Sequence, residues 1–479
     1  MSIVTLLEDL LNDITKAEEV FYDNLKDFSN LEQSVKDSAQ SFAAKYLSLV
    51  LDNLNEYIKK DSSRKENYSV QRNDKRTLIT SVGDVVFNNT YYKSKNEDRY
   101  GYILEDMIGL SAHERFSECA ETELIKSSIK HSYAEAISSL PTESEISKTS
   151  VMNKVHNICE YIPDDEQEEK KKCKYLYIDA DEDHVSEQHG RWNKDNNSFL
   201  SKLIYLYESK QDDKTSKNRK KLVETVYFSG VYEGSKNNEQ LWNEVYEYIE
   251  NHYDYEYIET IYITGDGAKW IKSGCEYIPK SRYCLDKFHL MKYINAAANQ
   301  MLDERDIAKE QIYKLLKGRT KKPLLEYIEL MESCANNPEP VADLKSMIDG
   351  HWKAIMRSLH DKNVLGCSAE GHVSHILSDR LSSRPRAWSK KGADRISKLR
   401  CYEKNHGSEK IIDLVKYNRK KRQLERTGTD DIEIDKLDMY DLMFERQRDG
   451  KEYIDRIQAT IPGETCRKSF AIKEQIKLI

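Results

Sequence analysis

The sequence predicts a mixed α/β protein in which one sheet is flanked by long helical regions. Between Tyr175 and Leu285, short runs rich in Tyr, Val, Ile and Phe are separated by polar turns and two helical segments, in the order β-β-β-α-β-α-β. Before and after these runs, apolar residues recur at helical spacing over long stretches. The 479 residues include only 18 Gly and 8 Pro, which favours long helices over a β sandwich or barrel.

Composition limits the classes of function. Charged residues make up 33% of the chain, but 31 Tyr, 10 Phe and 5 Trp supply the apolar surface that a folded core needs. Because the net charge is −8, any contact with nucleic acid must depend on a local basic patch. The nine cysteines include no CxxC pair, and no apolar run approaches the roughly 18 residues of a membrane span. We therefore expect a reduced, cytoplasmic protein that does not contact a membrane.

The N-terminal part is predicted to be mainly helical. Helical spacing predicts at least two helices in a region covering 1–60. The polar segment 62–76 is predicted to be a loop. Alternating β-branched and aromatic residues around Gly83 predict a hairpin over 76–92.

A candidate DNA-binding element follows the hairpin. A short helix, a turn near Pro141 and a second helix are predicted over 132–162, and this layout matches a helix-turn-helix. The region 76–163 is therefore a candidate DNA-binding region, although two helices that only pack together would show the same pattern. The acidic and then basic segment 164–174 is predicted to be an exposed linker.

A second domain is predicted over 174–400. A helix is expected over 238–252, and helical spacing predicts a helical insertion at about 290–362. The remainder, 401–479, is predicted to be a basic and polar C-terminal region. The predicted strands of the domain are 175–187, 198–209, 223–233, 257–264 and 282–285.

Three places in this domain offer acidic side chains for catalysis. Asp266 follows the fourth strand, 85 positions after Asp181, and Glu370 follows the insertion, 104 positions further on. Asp266 lies between two glycines, a pattern that often marks only a turn but also leaves room for a metal ion or a phosphate. The first strand contains four acids, of which the aspartates share one face and the glutamate lies on the other: Asp179, Asp181, Asp183 and Glu182.

Carboxylates in this arrangement suit magnesium. Two carboxylates on neighbouring strands and a third from a helix can hold two Mg²⁺ ions about 4 Å apart, which supports phosphodiester transfer. No thiolate or imidazole pair has zinc spacing. The sequence therefore favours a site for two magnesium ions over a zinc hydrolase.

Four motifs, in this order, carry a family resemblance: YLYIDADEDHVSEQ, YITGDGAKWI, YCLDKFHLMKYI and CSAEGHVSHILSDRLSSRPRAWS. Together they resemble the bacterial insertion-sequence transposases of the ISLre type, a DDE branch with a helical insertion before the last acid. The resemblance extends from the hairpin near Thr77 to about Cys401. It implies a ribonuclease H-like catalytic core with a mixed five-stranded sheet. Such a core would use two Mg²⁺ (or Mn²⁺) ions to cut transposon ends and join their 3′-hydroxyls to target DNA.

Matched motif by motif, the resemblance implies catalytic and metal-binding roles for Asp181, Asp266 and Glu370. Strand alternation cannot choose among the three aspartates of the first strand, so Asp179 remains an alternative to Asp181. The implied partners are DNA, at the terminal inverted repeats and at the target, and further copies of the chain in a synaptic homo-oligomer. The implied location is the bacterial cytoplasm, with association to the nucleoid during transposition.

The motif LDKFH adds two accessory candidates, Asp286 and His289. A capped helix start with a hydrogen-bonded histidine would explain the same pair without catalysis. His372 and His375 follow Glu370 at helical spacing and could contact DNA phosphates, but solvated helix residues are the simpler interpretation.

A basic segment follows the third acid. Between Arg380 and Arg426 the chain has 16 Lys or Arg residues against five acids. Such a surface could follow a phosphate backbone, with aromatic rings to stack on an unpaired base, although a run of charge is more often only a solvated face. The candidate DNA contacts are Arg380, Arg384, Arg386, Trp388, Lys390, Lys391 and Arg395.

Two other functions remain open at this level. A catalytically inactive DNA-binding protein derived from a transposase would retain the helical pair and the basic segment, but it would not need the three acids. A ribonuclease H-like nuclease acting on RNA or hybrids would use the same metal chemistry. Cleavage of duplex DNA against RNA–DNA hybrid separates this nuclease from a transposase.

Overall fold

The structure is a computed structural model that describes residues 2–158, 162–163, 169–188, 197–212, 220–383 and 386–427. The chain divides into two compact units. The first comprises Met1–Lys154 and the segment that begins at Ile412, and the second comprises Val155–Ile411. No helix in the described ranges is long and apolar enough to cross a membrane.

The first unit begins with helices and continues with a small antiparallel sheet, β1-β2-β3. The two predicted N-terminal helices are present, and each begins at a side-chain cap, Ser2 for the first and Asp27 for the second. The elements up to residue 158 are α1 (Ile3–Asp23), α2 (Phe28–Lys60), α3 (Ser62–Asn67), β1 (Tyr68–Thr80), β2 (Gly83–Ser94), β3 (Tyr100–Gly101), α4 (Ile103–Met107), α5 (Glu118–Lys130), α6 (Tyr133–Ile137) and α7 (Lys148–Ile158).

The hairpin predicted around Gly83 is confirmed, but the predicted loop at 62–76 is wrong. Residues 62–67 form a short helix, and the rest of the segment belongs to β1, which pairs with β2 along its whole length. The outer half of β1 is exposed, so its side chains are polar and do not show the alternation by which a half-buried strand is recognised.

The helices predicted over 132–162 are present as α6 and α7. Ten residues, 138–147, connect them, which is longer than the three or four residues of a helix-turn-helix. Asp84 of the hairpin holds this connection, because its Oδ2 accepts hydrogen bonds from the Ser144 N–H at 3.1 Å and the Ser144 hydroxyl at 2.8 Å. DNA binding by the pair stays a prediction.

The second unit is built on a five-stranded mixed sheet, as predicted. Its elements are β4 (Tyr175–Ser186), β5 (Ser198–Tyr207), β6 (Ser209–Asp212), β7 (Lys220–Val223), β8 (Val226–Gly230), α8 (Gly234–His252), β9 (Thr260–Gly265), α9 (Lys269–Lys272), α10 (Gly274–Tyr277), β10 (Ser281–Leu285), α11 (Lys287–Ala298), α12 (Arg305–Lys317), α13 (Lys321–Cys334), α14 (Glu339–His360), α15 (Ala369–Val373), α16 (Asp379–Leu381) and α17 (Lys390–His406). The last described helix, α18 (Ile411–Thr427), is grouped almost entirely with the first unit, and 428–479 lie outside the described residues.

The strand order of the sheet is β10-β9-β4-β5-β8. The first three strands along the chain, β4, β5 and β8, form an antiparallel meander, whereas β9 and β10 add on the other side of β4, parallel to it. The strands β6 and β7 form a separate two-stranded ribbon between β5 and β8.

The two faces of the sheet differ in chemistry. Leu176, Ile178 and Ala180 of β4 point into the main core, where they pack with α8 and with the predicted helical insertion, α11 to α14. By alternation, the aspartates of β4 point to the opposite face, together with tyrosines of β4 and β5. The apolar face therefore anchors the sheet and leaves the acidic face for a site.

Candidate active site

Asp266 lies in a turn whose shape depends on its two flanking glycines. A Cβ on Gly265 would come within 2.7 Å of the Ile271 side chain, and Gly267 has a φ of +112°. The Asp266 Oδ1 accepts a hydrogen bond from the Ala268 N–H at 2.9 Å. One carboxylate oxygen of Asp266 therefore stabilises the turn, as expected if this aspartate is a turn residue.

Asp181 and Asp266 lie at equivalent places on neighbouring parallel strands. In the register of β4 and β9, Asp179 pairs with Thr264. Asp181 lies two residues after Asp179, and Asp266 lies two residues after Thr264. Burial is the main cause that raises the pKa of Asp181 to about 6, and the negative charge of Asp266 adds to the rise. A hydrogen bond from the Glu182 N–H, 2.8 Å from the Asp181 Oδ1, opposes it.

The other two aspartates of β4 have protein partners. Asp179 is fully buried, and its Oδ2 accepts a hydrogen bond from the Tyr205 hydroxyl at 2.8 Å. Asp183 Oδ1 accepts one from the Ser382 hydroxyl at 3.0 Å. Of the three, Asp181 is thus the one whose carboxylate charge is coupled to that of Asp266; the choice between Asp181 and Asp179 as the first metal ligand stays a prediction.

The segment that carries Glu370 crosses the acidic face. Its beginning contacts Asp179 through the Ser368 N–H, 3.4 Å from Oδ2, and its end contacts Asp183 through Ser382. Between these contacts α15 continues through a π-helical turn at Ser374–Ser378 into α16. Glu370 itself is exposed.

A buried arginine supports the π-helical turn. The Arg400 guanidinium of α17 donates hydrogen bonds to the backbone carbonyls of His375, at 2.7 Å, and Ile376, and it lies 3.2 Å from the Asp379 carboxylate. A π-helical turn departs from the regular helical hydrogen-bond pattern, and such turns are frequent at functional sites. Arg400 therefore stabilises the Glu370 segment and belongs to the interior of the unit.

Asp286 and His289 form a helix cap next to the acids. Asp286 begins α11, where its Oδ1 accepts the Phe288 N–H at 3.1 Å and its Oδ2 lies 2.9 Å from the His289 Nδ1. This hydrogen bond raises the pKa of His289, with smaller contributions from Asp181 and Asp266. The pair thus has the structural role that the sequence allowed, and the imidazole lies within electrostatic reach of both acids.

Sequence reasoning missed His351, which the helical insertion brings to the Asp266 turn. A Cβ on Gly267 would lie 3.4 Å from the His351 Nε2, and the His351 Nδ1 is buried without a hydrogen-bond partner in the described part of the chain. Burial is the main cause that lowers the pKa of His351. The residue interrupts α14 with non-helical dihedrals, φ −123° and ψ 16°. The pair Gly350-His351 within an amphipathic helix was the sequence signal for this kink.

The basic segment is less available to DNA than its composition suggests. Arg380 is 3% exposed and Trp388 is 8% exposed, and the guanidinium carbon lies 4.6 Å from the centre of the indole ring. Both are interior packing residues, so their prediction as DNA contacts is corrected. Lys390 and Lys391 are exposed, and Lys390 pairs with Glu233 at 2.8 Å. Arg386 and Arg395 are half-buried, and Arg384 lies outside the described residues.

The donors around Asp181 and Asp266 fit a hard divalent cation. Both side chains offer carboxylate oxygens, and their mutual repulsion in a partly buried place is what a cation would relieve. Across the residues described here, no three His, Cys, Asp or Glu side chains are already gathered as a metal-binding group. A metal site would therefore need Glu370 to close on the two aspartates.

These observations define a mixed α/β protein with a cluster of carboxylates on one face of its sheet. The chain belongs to the uncharacterised protein family UPF0236, whose family model matches residues 21–420.

Similar proteins come from two bacteria. A UPF0236 protein of Caldanaerobacter subterraneus subsp. tengcongensis is 36% identical over 414 residues, which is 86% of each chain. Another relative from that bacterium, with the same identity and coverage, has a name that joins eleven locus designations. A UPF0236 protein of Streptococcus gallolyticus, named for its position in the vanSb 3′ region, is 26% identical over 359 residues, 71% of this chain and 75% of the relative.

Among solved structures, the Drosophila P element transposase strand transfer complex is similar over 67% of this chain and 83% of that chain. The identity is 11% and the TM-score is 0.22. A similarity at this level carries no argument about fold or function.

Proposed function

We propose that this protein is a DDE transposase that cuts DNA at the ends of a mobile element and joins the free 3′-hydroxyls to target DNA. The observation that carries the proposal is that Asp181 and Asp266, distant in sequence, lie at equivalent places on neighbouring strands, and that the segment bearing Glu370 crosses the same face of the sheet. Asp181 and Asp266 come from neighbouring parallel strands, and Glu370 comes from a helix held against β4. This is the combination of two strand-borne carboxylates and one helix-borne carboxylate that the sequence motifs implied.

The topology of the sheet supports a ribonuclease H-like core. The first strand of the domain is central, two antiparallel strands follow it on one side, and two parallel strands lie on the other. The first two acids lie on the central strand and at the end of its parallel neighbour. The helical insertion enters between β10 and the third acid, as in the transposases that the motifs resemble.

Asp181, Asp266 and Glu370 would hold two Mg²⁺ or Mn²⁺ ions. Bound there, such ions supply activation of a water or 3′-hydroxyl and stabilisation of the leaving oxygen. The protein's own contribution is to hold two carboxylates together in a partly buried place before any cation arrives. Burial and, to a smaller extent, the charge of Asp266 raise the pKa of Asp181, so a bound cation would stabilise the ionised carboxylates.

The distribution of relatives also supports the proposal. A relative whose name joins eleven loci of one bacterium is what a coding sequence that copies itself through a chromosome would produce. An enzyme of one metabolic step is not expected to be encoded at so many loci of one chromosome. We extend the same reasoning to the partners: terminal inverted repeats, target DNA and further copies of the chain in a synaptic complex.

The test uses the full chain and a duplex carrying the DNA ends that flank its reading frame. We expect end cleavage and strand transfer in Mg²⁺, with loss of both in Asp266→Asn and in Glu370→Gln. Asp303→Asn, which neutralises an exposed acid of the insertion, is the matched control and should remain active. If Asp266→Asn kept its cleavage activity, the proposal would be wrong. Cleavage of RNA–DNA hybrid in place of duplex DNA would instead indicate a ribonuclease H-like nuclease.

A further inference from the structure

We infer that Asp179 is a positioning residue that holds Glu370 in place through buried tyrosines of β5, and is not a metal ligand. The role of Glu370 in this inference rests on the proposed function. The contacts between the Glu370 segment and the sheet do not depend on the proposed function.

Asp179 is a buried residue whose carboxylate makes hydrogen bonds within the protein interior. It is fully buried, and its Oδ2 accepts hydrogen bonds from the hydroxyl of Tyr205 at 2.8 Å and from that of Tyr207 at 3.3 Å. Both tyrosines are themselves buried. Oδ2 therefore has little capacity left for a cation. Oδ1 is buried without a hydrogen-bond partner among the described residues, but no part of the side chain reaches the surface from which a cation would arrive.

The same carboxylate holds the residues just before Glu370. The Ser368 N–H points to Asp179 Oδ2 at 3.4 Å, and the Ser368 hydroxyl lies 3.1 Å from the Tyr205 hydroxyl. Upstream, the Lys210 ammonium contacts the Gly366 carbonyl and lies 5.3 Å from the centre of the Tyr207 ring. The Asp179 carboxylate and the Lys210 ammonium thus contact the backbone just before α15, and the Tyr205 hydroxyl contacts the Ser368 side chain.

The residue two positions after Glu370, His372, contacts tyrosines of β5 and of its neighbour β8. The His372 ring stacks on the Tyr205 ring with centroids 4.3 Å apart, and the Tyr227 hydroxyl of β8 lies 3.0 Å from the His372 Nδ1. Glu370 therefore lies between two anchored residues, each two positions away. Its own side chain stays exposed and takes no part in the network.

These contacts limit the positions that the Glu370 backbone can adopt. α15 and its continuation to Leu381 form a short, irregular helical segment that would be marginally stable alone, so an exposed carboxylate at its start would sample many positions. Anchors on both sides keep the backbone in one place while the carboxylate remains accessible. Such preorganisation lowers the entropy cost of bringing Glu370 to a cation shared with the two aspartates.

Hydrogen–deuterium exchange of the full chain tests the anchoring directly. Tyr205→Phe removes the hydroxyl but keeps the ring that stacks on His372. We expect exchange of the amides in 366–378 to rise on the order of tenfold, the effect of losing one net hydrogen bond. Tyr253→Phe is the matched control, because Tyr253 is equally buried and donates to Glu208 at 3.0 Å, away from this segment. Unchanged exchange in Tyr205→Phe and in Asp179→Ala would overturn the inference.

Metal binding distinguishes a positioning residue from a ligand. Measured by Mn²⁺ paramagnetic resonance, Asp179→Ala should bind the wild-type number of Mn²⁺ ions with several-fold weaker affinity, whereas Asp181→Asn should lose bound ions. In DNA cleavage, Tyr205→Phe should need several-fold more Mg²⁺ for half-maximal rate, with a rate at saturating Mg²⁺ within about twofold of wild type. Loss of Mn²⁺ ions in Asp179→Ala would overturn the inference. If wild type cleaved no DNA, the exchange and Mn²⁺ results would still decide it.

Discussion

Replacing Asp181 by asparagine should stabilise the metal-free protein, although it should destroy the proposed activity. The substitution keeps the shape of the side chain and an oxygen that can accept the Glu182 N–H. Because burial and Asp266 raise the Asp181 pKa from 3.8 to about 6, the folded state binds the proton more tightly than the unfolded state. The stabilisation that the proton provides is complete below about pH 4 and is lost as the pH rises through 6.

The size of the effect follows from the two pKa values. The difference between 3.8 and about 6 corresponds to about 3 kcal/mol of penalty for the ionised carboxylate at pH 7.5. Since the residue is only partly buried, solvent screens part of this, and we expect Asp181→Asn to gain about 1–3 kcal/mol. Most single substitutions destabilise a protein, so a gain is a specific outcome.

Urea denaturation in EDTA, followed by tryptophan fluorescence, measures this gain. All five tryptophans lie between positions 192 and 388, so the signal reports on the unit that holds the acids. Asp181→Asn should be more stable than wild type at pH 7.5 and equal to it below about pH 4, where the proton is bound in both states. Glu370→Gln, at an exposed position, should change stability at neither pH. Added Mg²⁺ should stabilise wild type and not Asp181→Asn.

The reasoning is refuted if Asp181→Asn is less stable than wild type at pH 7.5. It is also refuted if the gain persists undiminished at low pH, because the effect would then not come from the charge of Asp181.

Three further outcomes test other parts of the structure. Gly265→Ala should destabilise the protein by about 1–3 kcal/mol and weaken Mn²⁺ binding, because the new methyl would lie 3.0 Å from the Ala180 carbonyl and still closer to a side chain; equal melting and Mn²⁺ affinity would contradict this. Arg419→Ala should cost about 1–3 kcal/mol in thermal or urea unfolding, because the fully buried Glu121 carboxylate loses its guanidinium partner and keeps only Lys154 as a paired cation; an unchanged stability would show that the Arg419 pair is dispensable. Lys391→Ala should weaken DNA binding and reduce the salt slope by about one, with unchanged melting, and an unchanged slope would remove this exposed lysine from the DNA surface.

The sheet and the position of Asp266 were predictable because local chemistry determines them. Strands with alternating apolar residues are recognisable whenever one face meets a core, and all five strands of the main sheet have that face. The glycines around Asp266 are needed for reasons visible in the sequence: one packs against Ile271 and the other adopts a positive φ. The mistaken loop at 62–76 shows the reverse case, since a strand with an exposed half has no alternation to detect.

Properties that depend on tertiary contacts could not be predicted. Charge alone suggested that Arg380 faces DNA, but its guanidinium lies over the buried Trp388 ring. His351 approaches Asp266 only because the insertion folds back over the sheet, 85 positions later in the chain. The partners that distinguish the aspartates of β4 from one another likewise come from β5 and from the Glu370 segment, which are distant in sequence.

Anomalous diffraction from crystals of the full chain soaked in Mn²⁺ tests the central claim most directly. The account predicts two Mn²⁺ ions between Asp181, Asp266 and Glu370, with Glu370 drawn toward the aspartates and Asp179 still bonded to its tyrosines. Mn²⁺ bound elsewhere, or ligated by Asp179 in place of Asp181, would contradict it.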